Sequence, residues 1–433
     1  MPLSVAIVGS GPSGFYTVAA LLKLAPDAQI DIIERLPTPF GLIRGGVAPD
    51  HQKTKNVWRA YDRSAKQENV AYFGNVEVGS DVTIDELRTM YDAVVLAVGS
   101  PLDRLLGIPG EDKKGVFGAA SFVGWYNGHP DFRDLNPDLN IEAAVVIGNG
   151  NVAVDCARVL GKTAAEMAST DLTDYAAAAI HKSPLTDIYM CGRRGPGDAK
   201  FTNVELREMG ELQDCAPIVD PAQLEEGVPD DLDDRDRRLR ERNMETLREF
   251  AAMSPEGKKK RIHFQFYTSP VEVLGGDRVE AIRMEKNEVK DGRAVGTGEF
   301  FEIPCGLVIA AIGYSGTPFP GLPFDEKRGT LIHDNGRVGN GVYAVGWIKR
   351  GPTGVIGTNK HDGDLAAEQI LEDVKEATAT GRKSLEAHLK GKAVRWISYD
   401  DWQKIDEAEI ASAPEGAPRR KFATVDEMLE VLK

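Results

Sequence analysis

Two glycine-rich turns, each set between an apolar strand pattern and a helical pattern, constrain this chain more than any other feature. The first reads Val5-Ala6-Ile7-Val8-Gly9-Ser10-Gly11-Pro12-Ser13-Gly14 and runs into an apolar helical stretch over residues 15–24. The second reads Ala144-Val145-Val146-Ile147-Gly148-Asn149-Gly150-Asn151-Val152-Ala153 and runs into residues 154–160. In such a turn the first glycine permits the tight bend and the second lets the backbone approach a pyrophosphate. A third small residue lets helix and strand pack closely. The pyrophosphate then rests on the free N–H groups at the positive end of the helix. A chain that binds one dinucleotide can be a simple dehydrogenase, whereas a chain that binds two typically passes electrons between them.

The residues that end the next strand separate the two turns. After the first comes Gln29-Ile30-Asp31-Ile32-Ile33-Glu34, with an acid 20 residues beyond Gly14. A carboxylate there grips both hydroxyls of an adenosine ribose, which suits FAD or NAD. After the second, an insertion over residues 162–181 with helical character precedes a strand pattern that ends in Gly192-Arg193-Arg194. Guanidinium forks suit a 2′-phosphate, which a carboxylate would repel, so this site reads as NADP.

Composition excludes several other classes. The formal net charge of −15 opposes binding to nucleic acid, whose phosphates it would repel. No apolar run is long enough to cross a membrane. The first strand pattern starts so close to Met1 that no signal or transit peptide is expected before it, which points to the cytoplasm. Cys156, Cys191, Cys215 and Cys305 are far apart and form no C-x-x-C pair, so neither a redox disulfide, an iron–sulfur cluster nor another metal centre is expected.

Strand and helix patterns alternate along the chain, as in a doubly wound α/β protein. Apolar strands ending at glycine are predicted over residues 91–100, 307–314 and 341–347, with Pro- and Gly-rich linkers at 101–112 and 317–321. The economical arrangement is two Rossmann-like domains, one inserted into the other. It gives a first domain over residues 1–102, an inserted domain over 103–319, and the remainder of the first over 320–433.

Two further segments, residues 37–51 and 346–359, are dense in Gly and Pro and lie just beyond strand ends, the edge where open α/β sheets bind ligands. At these loops the sequence resembles the adrenodoxin-reductase-type ferredoxin–NADP⁺ reductases, a family of FAD flavoproteins. The match is carried by residues 9–14, by Thr38-Pro39-Phe40-Gly41-Leu42, by Val47-Ala48-Pro49-Asp50-His51, and by residues 148–155, 192–196, 350–356 and 423–429. The sequence departs from the family pattern at Arg44-Gly45-Gly46, Gln52-Lys53-Thr54 and Gly357-Thr358-Asn359.

The resemblance implies an NADP domain inserted into an FAD domain. It also implies contacts to FAD from Ser13, Glu34, Leu42, Val78, Trp347, Gly354, Val355 and Ile356, together with the turn glycines Gly9, Gly11 and Gly14. Gly148, Asn149, Gly150, Asn151 and Val152 correspond to the NADP pyrophosphate turn, and Arg193, Arg194 and Glu205 to its adenosine end. Gly354 is expected at the nicotinamide, and His51 with Glu208 as an orienting polar pair near it. The implied reaction takes hydride from NADPH to the flavin and passes single electrons to a ferredoxin, reversibly in principle.

Ferredoxins are acidic, so docking on this acidic chain requires a local basic face. Lys23, Arg207 and the arginine-rich run over residues 234–242 are the candidates. Other flavin oxidoreductases share the layout, among them diaphorase and monooxygenase types. A thioredoxin-reductase-like enzyme would need a cysteine pair. A non-enzymatic NADP(H)-binding sensor would not need the two flavin loops.

Overall fold

A computed structural model describes residues 1–224 and 232–433. The chain forms two compact units, one built from Met1–Leu102, Asn127–Pro130 and Tyr314–Lys433, the other from Asp103–Tyr126 and Asp131–Gly313.

In the first unit, apolar runs covered on both faces form a six-stranded sheet. Its order is Arg337–Gly339, Val342–Ala344, Ala93–Leu96, Ser4–Val8, Gln29–Glu34 and Val70–Gly74. All neighbours are parallel except the pair formed by Arg337–Gly339 and Val342–Ala344. Side chains alternate across the sheet. Val5 and Ile7 pack with Phe15, Val18 and Leu21 of the Pro12–Leu24 helix on one face. Ala6 and Val8 pack with Leu87, Leu385 and Leu389 on the other. The chain steps from Ser4–Val8 outward to Val70–Gly74, then crosses to Ala93–Leu96 on the opposite side. That reversal opens a crevice position at the carboxyl end of Ser4–Val8, where the first glycine turn lies. The strand expected over residues 341–347 forms at Val342–Ala344 and pairs with Ala93–Leu96, closing the sheet.

The second unit carries a six-stranded parallel sheet in the order Val116–Gly118, Leu307–Ala310, Ala143–Ile147, Asp187–Cys191, Lys260–Gln265 and Cys215–Val219. An antiparallel three-stranded sheet of Thr268–Leu274, Ala281–Lys290 and Arg293–Pro304 is added to it in the same unit. The insertion expected to be helical contains the helices Ala164–Met167 and Asp174–Lys182. Among the described residues no helix is long and apolar enough to cross a membrane.

A charged group lies inside the first sheet. Asp31 is fully buried in the Gln29–Glu34 strand, where it accepts from Arg382 Nε at 2.7 Å and from the Tyr91 hydroxyl at 2.9 Å. Burial raises its carboxyl above the usual range while the Arg382 charge pulls it back. Removing the cation strands a buried carboxylate, so Arg382→Met is expected to destabilise the first unit by about 3 kcal/mol. Adding Asp31→Asn should recover most of that loss, as read by thermal unfolding of the two variants.

Candidate functional site

The first glycine turn shows which of its glycines serve the fold and which leave room. Gly9 has φ +103°, and a Cβ there would lie 2.5 Å from the Ala97 carbonyl oxygen. At Gly14 a Cβ would lie 2.2 Å from the Gly9 carbonyl oxygen, so both positions are closed by the protein itself. Gly11 differs. Its backbone is extended (φ −75°, ψ −175°), which any residue adopts, and a Cβ would meet nothing nearer than Gly41 Cα at 4.0 Å. Gly11 caps the Pro12–Leu24 helix with no side-chain hydrogen bond, leaving the N–H groups of the first turn for an anion.

The surrounding groups converge on this turn. Glu34 ends its strand with Oε2 accepting from the Ser10 N–H (3.0 Å) and hydroxyl (2.6 Å), and Oε1 accepting from the Leu36 N–H (3.2 Å). A carboxylate has acceptor capacity beyond these three bonds, enough for a ribose hydroxyl. Gly41, at φ +48°, comes so close to Gly11 that a Cβ would lie 2.9 Å from its Cα, and this sets Leu42 beside the turn. Gly346, at φ +70°, packs on buried Ser13, where a Cβ would be 2.7 Å from the serine side chain.

That contact anchors the 346–359 loop. Buried Asp362 holds the loop by accepting from the Gly346 N–H (3.1 Å), from Lys349 Nζ (3.1 Å) and from Arg350. Trp347 stacks on Tyr314 and donates from Nε1 to the Thr353 carbonyl. Gly354 has φ +82°, Val355 donates its N–H to Thr358 Oγ1, and Ile356 opens a short 3₁₀ turn. Leu42 and Val355 are 47% and 65% exposed, large apolar side chains left uncovered in loops beyond strand ends. Val78 bridges to Val82 and packs on the Ala6–Val8 face of the sheet. His51 is half-buried and caps the short Gln52–Lys55 helix.

The departures from the family pattern are built into the structure. Arg44 pairs through both terminal nitrogens with fully buried Glu409, and a Cβ on Gly45 would touch the His129 ring at 3.4 Å. Asn359 accepts from Arg350 Nη2 at 2.9 Å.

The second turn repeats this division. Gly148 is closed, since a Cβ would lie 2.3 Å from the Ala311 carbonyl oxygen. Gly150 is extended (φ −115°, ψ 176°), and a Cβ there would meet nothing within 4 Å. It caps the Asn151–Gly161 helix without a side-chain bond. Asn149 lies over Gly192, with its buried Oδ1 lacking a hydrogen-bond partner beside the turn. Asn151 Oδ1 accepts from the Thr202 N–H at 2.8 Å, and half-buried Val152 follows it. Arg193 is exposed, and Arg194 Nη1 lies 3.1 Å from Asp198.

The two carboxylates expected along the nucleotide, Glu205 and Glu208, both lie on the Asn203–Glu208 helix and share one cation. Fully buried Arg158 reaches Asp155 at 2.7 Å, Glu205 at 3.2 Å and Glu208 at 3.5 Å. Sequence reading missed this residue. Its signal was an arginine inside the run Ala157-Arg158-Val159-Leu160, all buried in the helix.

Comparison with known proteins assigns the chain to a family. Residues 3–190 fit the model of the pyridine nucleotide-disulphide oxidoreductase family. The chain is 42% identical to the NADPH-ferredoxin reductase FprA of Mycobacterium tuberculosis, over 99% of both chains. It is 41% identical to human mitochondrial NADPH:adrenodoxin oxidoreductase, over 99% of this chain and 91% of that one. The structure of M. tuberculosis FprA in complex with NADPH superposes with a TM-score of 0.94 over 100% of this chain and 99% of that one, at 41% identity. The chain belongs to the adrenodoxin-reductase-type ferredoxin–NADP⁺ reductases.

All four cysteines are buried and free, and burial pushes the Cys191, Cys215 and Cys305 thiols up to about 12, with Cys156 also raised. The basic docking candidates divide. Lys23, Arg207, Arg238 and Arg242 are exposed, whereas Arg240 is buried and donates to the Gly197 carbonyl. The side chain of Arg235 lies outside the described residues.

The open space at Gly150 makes a sharp test. Gly150→Ala should leave the fold intact, with stability close to that of the parent, because the entropy gained in the unfolded chain is offset by the poorer N-cap. Its methyl group would occupy the phosphate position, so NADPH binding should weaken by roughly tenfold or more. Paired thermal unfolding and anaerobic NADPH titration check this.

Proposed function

We infer that this protein is an NADPH-dependent flavoprotein reductase that takes hydride from NADPH onto FAD and passes single electrons to an iron–sulfur ferredoxin. Family membership supports the reaction. The observation that carries the assignment of two dinucleotides is the pair Gly11 and Gly150, each extended, uncapped and facing space that the protein leaves open. Bound FAD supplies the exchange between a two-electron donor and a one-electron acceptor.

We assign FAD to the first unit and NADP(H) to the second. Glu34 holds the adenosine ribose of FAD, with Ser10 fixing its carboxylate. Gly9, Gly11, Ser13 and Gly14 form the pyrophosphate seat, while Leu42, Val78, Trp347, Gly354, Val355 and Ile356 line the flavin. Gly148 to Val152 seat the NADP pyrophosphate and Arg193 with Arg194 its 2′-phosphate. Glu205 lies along the nucleotide beside Glu208, held there by Arg158. His51 and Glu208 orient groups near the nicotinamide and transfer no proton, because hydride transfer between stacked rings requires positioning above all.

Exposed Arg207, Arg238 and Arg242 on the second unit and Lys23 on the first are the proposed contacts to the acidic acceptor. Val204, 70% exposed beside Arg207, adds an apolar element to that surface.

The purified yellow protein should be bleached by NADPH under anaerobic conditions far more readily than by NADH. Cytochrome c reduction should be accelerated by added ferredoxin; equal rates without it would remove ferredoxin as the acceptor. Arg207→Glu combined with Arg238→Glu should raise the KM for ferredoxin about tenfold at low salt. That difference should shrink as ionic strength rises. An unchanged KM at low salt would move the docking surface elsewhere.

A further inference from the structure

Arg194 and Arg240 lie in the second unit with a carboxylate between them. Asp198 ends the short 3₁₀ turn Pro196–Asp198, and its Oδ1 lies 3.1 Å from Arg194 Nη1 and 3.5 Å from Arg240 Nη1. The two cations differ in freedom. Arg240, on the Asp234–Ala252 helix, has a side chain only 9% exposed, and its Nη1 also donates to the Gly197 carbonyl at 2.8 Å. One turn along the same helix, buried Asn243 donates to the Phe201 carbonyl at 3.0 Å, which holds the helix on this segment. The Arg194 side chain is 31% exposed and follows directly on exposed Arg193.

We propose that Asp198 is a specificity-determining counter-ion at the adenosine end, holding Arg194 when no nucleotide is bound and lowering the preference for a 2′-phosphorylated nucleotide. The inference rests on the assignment of Arg193 and Arg194 to the 2′-phosphate. A phosphomonoester carries nearly two negative charges at neutral pH, so it must draw Arg194 away from Asp198 and then tolerate that carboxylate nearby. A ribose with a free 2′-hydroxyl meets the opposite situation. It brings no charge and offers a donor that an ionised carboxylate accepts. Arg240 cannot follow a ligand outward, so its function is to keep the Asp198 carboxylate in place. The protein therefore discriminates between NADPH and NADH less strongly than its two arginines alone would dictate.

The test uses 2′,5′-ADP and 5′-AMP, which present the adenosine end with and without the 2′-phosphate, in calorimetric titrations of the full-length holoprotein. Because the two probes differ only at this group, their affinity ratio does not respond to a general loosening of the site. Asp198→Asn keeps the shape and removes the charge; it should raise the ratio in favour of 2′,5′-ADP by about tenfold. Asp198→Ser is run in parallel, so that one variant decides if the other does not fold. The steady-state ratio of kcat/KM for NADPH over NADH should rise in the same direction. A ratio that stays the same or falls in the variants overturns the proposal. Arg194→Met separates this outcome from failure of the underlying assignment. If it leaves the 2′,5′-ADP preference intact, the arginine assignment is wrong; if it abolishes the preference while Asp198→Asn has no effect, only the counter-ion role is wrong.

Discussion

The structure depends on backbone amides left without partners. A helix that begins at a glycine with no capping side chain carries free N–H groups and a partial positive charge at its first turn. In a self-sufficient domain a serine, threonine or aspartate fills that need, as Thr83 does with Glu86 in the Ile84–Met90 helix of this same chain. The two helices that follow the glycine turns have no such cap. In the proposed function a pyrophosphate supplies the missing acceptors at each open end. The sheets, the loops and the ion pairs hold those two ends open at the right depth.

Much of this was legible in the sequence because the relevant signals are local. Strand, bend and helix lie within a dozen residues of each other, and the acid or arginine that distinguishes the two sites ends the next strand. The fold followed from the same alternation, including the late strand at Val342–Ala344 that returns to the first sheet. What stayed hidden depends on contacts between residues far apart in sequence. Arg158 meets Glu205 and Glu208 from 47 and 50 residues away, and nothing in either helix alone specifies the pairing. Glu409 and Arg44 are joined across 365 residues. The arginine-rich run over residues 234–242, a docking candidate, divides for a related reason: Arg238 and Arg242 are exposed and Arg240 is buried. Charge says which side chains can face water, whereas the packing of the Asp234–Ala252 helix turned Arg240 inward.

Two clusters of buried charge lie beside the proposed ligand sites. Asp362 gathers a backbone N–H and two cations at the root of one loop, and Arg158 gathers three carboxylates behind the second glycine turn. Such clusters are costly to desolvate and are weak contributors to stability, but they fix orientation well. Electron transfer between cofactors asks for that orientation and for little acid–base chemistry, which fits a site rich in structural ion pairs.

The division of the chain into units also orders its assembly. The second unit is nearly contiguous in sequence, so it can complete its parallel sheet as soon as Leu307–Ala310 has left the ribosome. The first unit must wait: its sheet lacks Val342–Ala344 until late in synthesis, and its core still needs Trp402, Ile405 and Met428. During that interval the apolar strands made first have no finished layer to cover them, although they lead the chain. The first unit is therefore the first to be translated and the last to become a folded body.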